Sequence, residues 1–515
     1  MAGDTATGSG ERLHGEMPGW HRVVDDTGFR AVAQAVRAAG GRLIALWASD
    51  RRHDRQRFEV HAAFGDGDGL RWLTLPVDPA RPDFPSVADL YPVANRMERA
   101  AFDLVGLRAR GNDDRRRWLR HGAWPGDWHP LRKDAPIDHV GAGEPDEYAF
   151  VTVTGDGVHE IPVGPVHAGT IEPGHFRFSV VGERVLRLEE RLGYKHKAIE
   201  KRVEGATLWD GAKIVSRVSG DSTVAYGWAY AAAAESALAI DVPARAAWLR
   251  ALALERERIA NHLGDLGALG NDAGLAFGLA QFSLLKEGVL RTHAGVFGHR
   301  YLMDFVVPGG VANEVTEQAT AHMLAECDRI ERGTQELRRI YDDHAGLQDR
   351  FMTTGEVTPD LAARLGLTGA AGRASGQAHD LRVAFRPRPY NALEPRMVTH
   401  RGGDVAARVA VRFDEVLESL RLCRHILRHL PAGPFVVPLP ARAQSPLGFG
   451  WIEGWRGDVL VALELDGEGC IERLHAHDPS WQNWPLIEHA IIGNIVPDFP
   501  LINKSFNLSY SGHDL

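Results

Sequence analysis

The chain has 515 residues, too many for one compact core and enough for about two to four domains. Charged residues make up 25% and hydrophobic ones 44%, and the net charge is −9, which excludes the basic surface that sequence-independent nucleic-acid binding requires. The cysteines Cys327, Cys423 and Cys470 are too few and too scattered for a four-thiolate metal site, a disulfide framework or a CxxC redox pair.

Residues 1–18 are polar and Gly-rich, lack the apolar core of a signal peptide, and are expected to be disordered. The most apolar stretch, 225–254, is interrupted by Glu235, Asp241, Arg245 and Arg250, so it reads as a buried helix pair and not as a membrane span. A cytoplasmic location is the expectation. Helical spacing runs over 29–40 and stops at Gly40-Gly41. Strands are predicted at 42–47, 57–64 and 70–77, the last two joined by a Gly/Asp turn at 65–69. Residues 19–135 therefore form a small α+β domain. Its tail, 91–134, is dense in Arg, Asp, Trp and Pro and is expected to face solvent or a partner. Residues 136–149 read as a linker. Beyond it, strands are predicted at 150–153, 158–163 and 176–188. Helical patterns then cover 223–268 (broken at Pro243), 277–299, 312–344 and 404–430. A hairpin pair at 448–476, a helix at 481–492 and an irregular C-terminus complete 150–515. The fold class is α+β: a small α+β domain, then a mostly α-helical one with β hairpins at its ends.

The first group of motifs is Glu98-Arg99 with Asp103 and Gly106, then Asp114-Arg115-Arg116, then Trp128-His129-Pro130-Leu131-Arg132-Lys133-Asp134. In this order it resembles the 30-kDa-type subunit of respiratory complex I and its relatives in membrane-bound hydrogenases, where the segment is a docking arm. Arg forks and Trp faces suit an interface. The second group is Gly164-Pro165-Val166-His167-Ala168-Gly169, Glu172-Pro173-Gly174-His175, ERERIANH at 255–262, Arg373-Ala374-Ser375-Gly376 and Arg401-Gly402-Gly403-Asp404. It resembles the large subunit shared by formate-hydrogenlyase-type NiFe hydrogenases and the quinone-pocket subunit of complex I. The two resemblances cover nearly all of 40–515.

In the hydrogenases four thiolates from two CxxC motifs hold nickel and iron, soft donors suited to a redox-active metal. The matching positions here are Ser219, Ser222, Ser509 and Gly512. Hydroxyls donate weakly to a soft metal and glycine offers no donor, so no NiFe centre and no metal is expected. Complex I instead lines a quinone pocket with a His on the first hairpin loop, an orienting Asp on a helix, and a Tyr. The resemblance places the His at His175 (another register puts Pro173 there) and the Asp at Asp272. The Tyr position falls at Gly220, with Tyr226 a nearby substitute. A His–Asp pair can hold and deliver a proton. His175, Asp272 and Arg217 are thus the candidate catalytic residues, and His175, Gly220 and Tyr226 the candidate cofactor-binding ones. The plain alternative for Ser219-Gly220-Asp221-Ser222 is a helix start, with Asp221 or Ser222 capping free amides. No nucleophile elbow and no nucleotide-binding glycine loop occurs, so an NADH step would need another subunit.

The resemblance implies an oxidoreductase subunit active within a complex, with electrons passing to a quinone or similar acceptor. The alternatives are a redox-silent scaffold and a true NiFe hydrogenase large subunit. The implied partners are an iron–sulfur small subunit with its own cluster, a ferredoxin-like subunit and antiporter-like membrane subunits, with no nucleic acid. The implied location is peripheral, on the inner face of the cell membrane. Hydrogenases of this type are often trimmed near the last Cys position, and no such trimming is expected here.

Overall fold

Five strands of the N-terminal region pair in the order Glu11–Arg12, Gly19–Val23, Leu70–Val77, Arg57–Gly65, Arg42–Arg51. The computed structural model describes residues 10–138, 143–144, 147–167, 171–440 and 442–515. Helix Asp26–Ala38 packs on this sheet through Phe29, Val32, Ala33 and Val36. It starts where the Asp25 carboxylate accepts the Gly28 amide. The turn at 65–69 forms as expected, because Asp66 accepts the amides of Asp68 and Gly69. The expectation of disorder over 1–18 fails for the part described. Glu11–Arg12 pairs with Gly19–Val23, and Leu13 and Met17 are buried. Residues 1–9 lie outside the described residues.

Much of the segment 91–134 is buried within the chain, while Pro92, Arg108, Asp113, Arg115 and Asp127 are exposed. Helix Ala94–Val105 buries Arg96, Glu98 and Arg99. Both guanidiniums stack over the Trp118 ring, at 4.6 and 5.0 Å. Arg96 forks between Glu190 and Glu488, and Arg116 reaches Glu189, all in the second domain. Part of the arm expected to face solvent or a partner thus packs on its own chain, through Arg96 and Arg116. Its charges are satisfied across an internal seam, which a single sequence does not distinguish from an external one. Trp47 and His475 stack 4.7 Å apart at the same seam, and Arg42 forks onto Asp458.

The second domain opens with an antiparallel sheet, Val158–Val163, His175–Val181 and Arg184–Arg191. The single strand expected at 176–188 is thus a hairpin. The strand expected at 150–153 does not form; Phe150 packs on the His175 ring instead. Of the linker 136–149, residues 139–142 and 145–146 lie outside the described residues. Helices Thr223–Leu238 and Ala244–Asp272 flank Pro243 as expected, followed by Ala276–Phe297, Glu317–Asp343 and Val405–His429.

The C-terminal meander Leu447–Glu453, Asp458–Leu465, Ile471–His477 lies directly on helix Thr223–Leu238. Gly450 permits this, since a Cβ there would fall 1.9 Å from the Ala229 carbonyl oxygen. An Ala-rich helix against a Gly-bearing strand brings the two backbones close, and it fixes the helix start where residues 219–222 enter. The C-terminus is not irregular: Phe499–Phe506 and Tyr510–Asp514 are helical. Among the described residues, no helix is long and apolar enough to cross a membrane.

Candidate functional site

Two remote segments meet in the second domain, the turn before helix Thr223–Leu238 and the start of helix Tyr510–Asp514. Ser219 and Ser509 are 3% and 4% exposed, so their hydroxyls must find partners inside the protein. They find each other at 2.8 Å. The direction of the bond follows by elimination. Ser219 has one proton and gives it to the Asp221 carboxylate at 2.9 Å, so Ser509 donates to Ser219. Ser509 in turn accepts the Gly512 amide at 2.8 Å, which starts the short C-terminal helix. The relay ends at Arg456, which grips both oxygens of Asp221 at 2.7 and 2.6 Å. Arg456 also donates to the Ser222 hydroxyl and the Asn507 carbonyl. Burial opposes ionisation of Asp221, but Arg456 and the Ser219 hydroxyl outweigh it and hold the carboxyl below its ordinary pKa.

Ser219, Ser222, Ser509 and Gly512, the positions that the resemblance aligned with thiolates, therefore lie together. Their chemistry does not fit a NiFe centre. Three hydroxyls satisfy one another and an Arg–Asp pair, and the fourth position has no room for a side chain. A Cβ on Gly512 would lie 2.3 Å from Asp478 Oδ2. Asp478 is held there by the Tyr226 hydroxyl at 2.6 Å and the Ser480 amide at 2.8 Å. Burial, with Asp478 beside it, pushes the Tyr226 phenol well above its ordinary pKa, so it remains a donor.

The capping reading of Asp221 and Ser222 needs correction. The first amides of helix Thr223–Leu238, on Val224 and Ala225, are taken by the Glu257 carboxyl. Ser222 makes no side-chain cap and Asp221 belongs to Arg456. Burial raises Glu257 to about 8, eased by those two amides and reinforced by the nearby Asp221.

The proposed quinone-binding pair is not assembled. His175 donates from Nδ1 to the Gly164 carbonyl at 3.3 Å and accepts from Arg177 at Nε2 at 3.4 Å. Burial, with Arg177 and Arg191 adding to it, holds the imidazole below its ordinary pKa and neutral. Asp272 is exposed at the end of helix Ala244–Asp272, under the influence of Lys504. Helix Phe499–Phe506 explains the separation. It carries Lys504, while its Phe499 packs on Phe176 and Phe178 of the strand that begins with His175. Among the described residues no hydrogen bond or ion pair links His175 to Asp272. Arg217 turns to the surface and forks onto Asp304 at 2.7 and 2.6 Å, with roughly half of each side chain exposed. Gly220 sits between Ser219 and Asp221, and a Cβ there would lie 3.5 Å from the Met303 methyl. Of the side chains put forward for chemistry, Tyr226 reaches the cluster, through Asp478, while Gly220 lies in its turn without a side chain. Arg456, Asp478 and Glu257 escaped the sequence reading. Arg456 and Asp478 stand in turns of the C-terminal meander, where charged residues are ordinary, and Glu257 stands within a helix rich in paired charges.

A small sheet domain sealed onto a helical frame, with four inward positions meeting beside a buried Arg–Asp pair, defines an oxidoreductase large subunit of the hydrogenase and complex I kind. Residues 22–140 match the model of the respiratory-chain NADH dehydrogenase 30 Kd subunit, and residues 279–446 that of the 49 Kd subunit. Formate hydrogenlyase subunit 5 of Escherichia coli K12 is 30% identical over 92% of this chain and 85% of its own length. The NADH-quinone oxidoreductase C/D subunit of Bacteroides thetaiotaomicron is 27% identical over 79% and 81% of the two chains. A chain of the membrane-bound sulfane sulfur reductase, an archaeal respiratory membrane complex, shares the fold at a TM-score of 0.66, with 23% identity over 70% of this chain and 98% of that one. The chain belongs to the family of fused 30 Kd and 49 Kd-type subunits that serve formate hydrogenlyase, hydrogenase-4 and complex I-like oxidoreductases.

Proposed function

We propose that the chain serves its membrane-associated oxidoreductase as an assembly subunit that holds no metal of its own at the hydrogenase position. The observation that carries this reading is the relay from Gly512 through Ser509, Ser219 and Asp221 to Arg456, which fills the converged ligand positions with mutually satisfied polar groups. An iron–sulfur subunit with its own cluster would sit against the loop between Val158–Val163 and His175–Val181, where Val166 is 77% and Ile171 40% exposed. Ferredoxin-like and antiporter-like subunits would complete a complex resting on the inner face of the membrane. Electron transfer to a quinone through His175 and Asp272 draws no support from their separate placements. The test is purification of the intact complex with elemental analysis. The expected result is an iron–sulfur subunit retained with this chain and no stoichiometric nickel. About one nickel per chain would overturn the reading.

A further inference from the structure

A cavity of about 160 Å³ shares no lining residue with the cluster. Its walls are Trp228 of helix Thr223–Leu238, Trp248 of helix Ala244–Asp272, and Phe449 and Trp451 of the strand Leu447–Glu453, with Ile240 and Met17 closing it. Aromatic rings on several sides favour a flat apolar guest through edge and face contacts. The charged groups of its inner wall are already committed. Arg250 forks onto Glu235 at 3.0 and 2.6 Å, and Glu235 also accepts the Gly309 amide. The Ser236 hydroxyl donates to the His14 carbonyl at 2.6 Å. A charged or strongly polar guest would find these groups taken and would lose its own hydration.

The outer wall is a strap, the N-terminal stretch at His14–Met17. It is fastened by the Ser236 bond, by the Arg388–Glu16 ion pair, and by His14 at 3.5 Å from Asp241. Glu16, Arg388 and Asp241 are substantially exposed, so these ion pairs are weak, and burial of Leu13 and Met17 also holds the strap.

We propose that this cavity is a binding site for a small neutral aromatic molecule of single-ring size. A dry apolar cavity of about 150 Å³ accommodates a benzene, which sets the scale of the guest. The site is independent of the metal-free cluster and of the reading placed on it.

The experiment uses the full chain and fluorobenzene, followed by fluorine NMR. Saturable line broadening is expected for the natural sequence. Ala247→Phe, which projects a ring into the cavity, is expected to weaken binding by about tenfold or more, with the melting temperature unchanged or raised. Ala232→Leu, from the opposite wall, is expected to do the same and covers the case in which the first variant fails to fold. Absence of saturable binding to the natural sequence would overturn the proposal, as would natural affinity in a folded variant.

Discussion

The Ser219 and Ser509 hydroxyls lie 2.8 Å apart although 290 residues separate them in the chain. The bond joins the turn before helix Thr223–Leu238 to the start of helix Tyr510–Asp514. It ties the C-terminal segment to the turn at 219–222 from within the chain.

Removing one hydroxyl tests that tie. Ser219→Ala leaves Asp221 short of a donor and Ser509 short of an acceptor, and is expected to cost about 1–3 kcal/mol in urea unfolding. Ser509→Ala breaks the same relay, so the double variant is expected to lose less than the sum of the two. Additive losses would show that the two hydroxyls act independently.

Gly512 gives a second test. A Cβ there meets the Asp478 carboxylate, itself fixed by Tyr226 and Ser480. Gly512→Ala is expected to destabilise the chain by about 1–3 kcal/mol, and adding Asp478→Ala is expected to relieve the steric part. A melting temperature unaffected by Gly512→Ala would mean that the C-terminal helix yields easily.

Glu257 sets an expected pH dependence. Its folded pKa is about 8, against an ordinary value of 4.5. Below the ordinary value both folded and unfolded states are protonated, and the group adds no slope. Between the two values the folded state holds a proton that the unfolded state has lost, so stability falls as pH rises and levels off above about 8. Glu257→Gln is expected to flatten this part of the curve. Parallel unfolding curves for the natural chain and the variant from pH 5 to about 8 would exclude Glu257 as the source.

The domain seam gives a fourth test. Arg96 is 9% exposed, and its partner Glu190 is fully buried. Arg96→Ala leaves that carboxyl without its cation, and about 3–5 kcal/mol of destabilisation is expected in chemical unfolding. A change below about 1 kcal/mol would show that Glu190 takes up a proton at little cost.

Most of the frame could be read from residue spacing. The Gly/Asp turn at 65–69, the break at Pro243 and the long helices all follow from local chemistry. The convergence of Ser219, Ser222, Ser509 and Gly512 was legible only through family resemblance, since nothing local links residues so distant. What escaped was the partnering of charges. Asp221 and Ser222 looked like caps because a Ser/Asp run before an apolar helix usually caps. Glu257, on another helix, reached those amides first. The arm at 91–134 looked like a partner surface because Arg forks and Trp faces suit any polar seam, including one within a single chain. His175 and Asp272 looked like a pair because each matched a motif position, but His175 bonds Gly164 and Arg177, and among the described residues no bond links it to Asp272.

The stack of Trp47 on His475 and the fork of Arg96 between Glu190 and Glu488 have a consequence for how the polypeptide could be divided. The contacts across the seam hold the halves together independently of the chain that connects them. A protease cut between residues 136 and 149 should yield two bands under denaturing conditions and one particle without denaturant. Whether two such halves are encoded as one gene or two would then make little difference to the assembled shape.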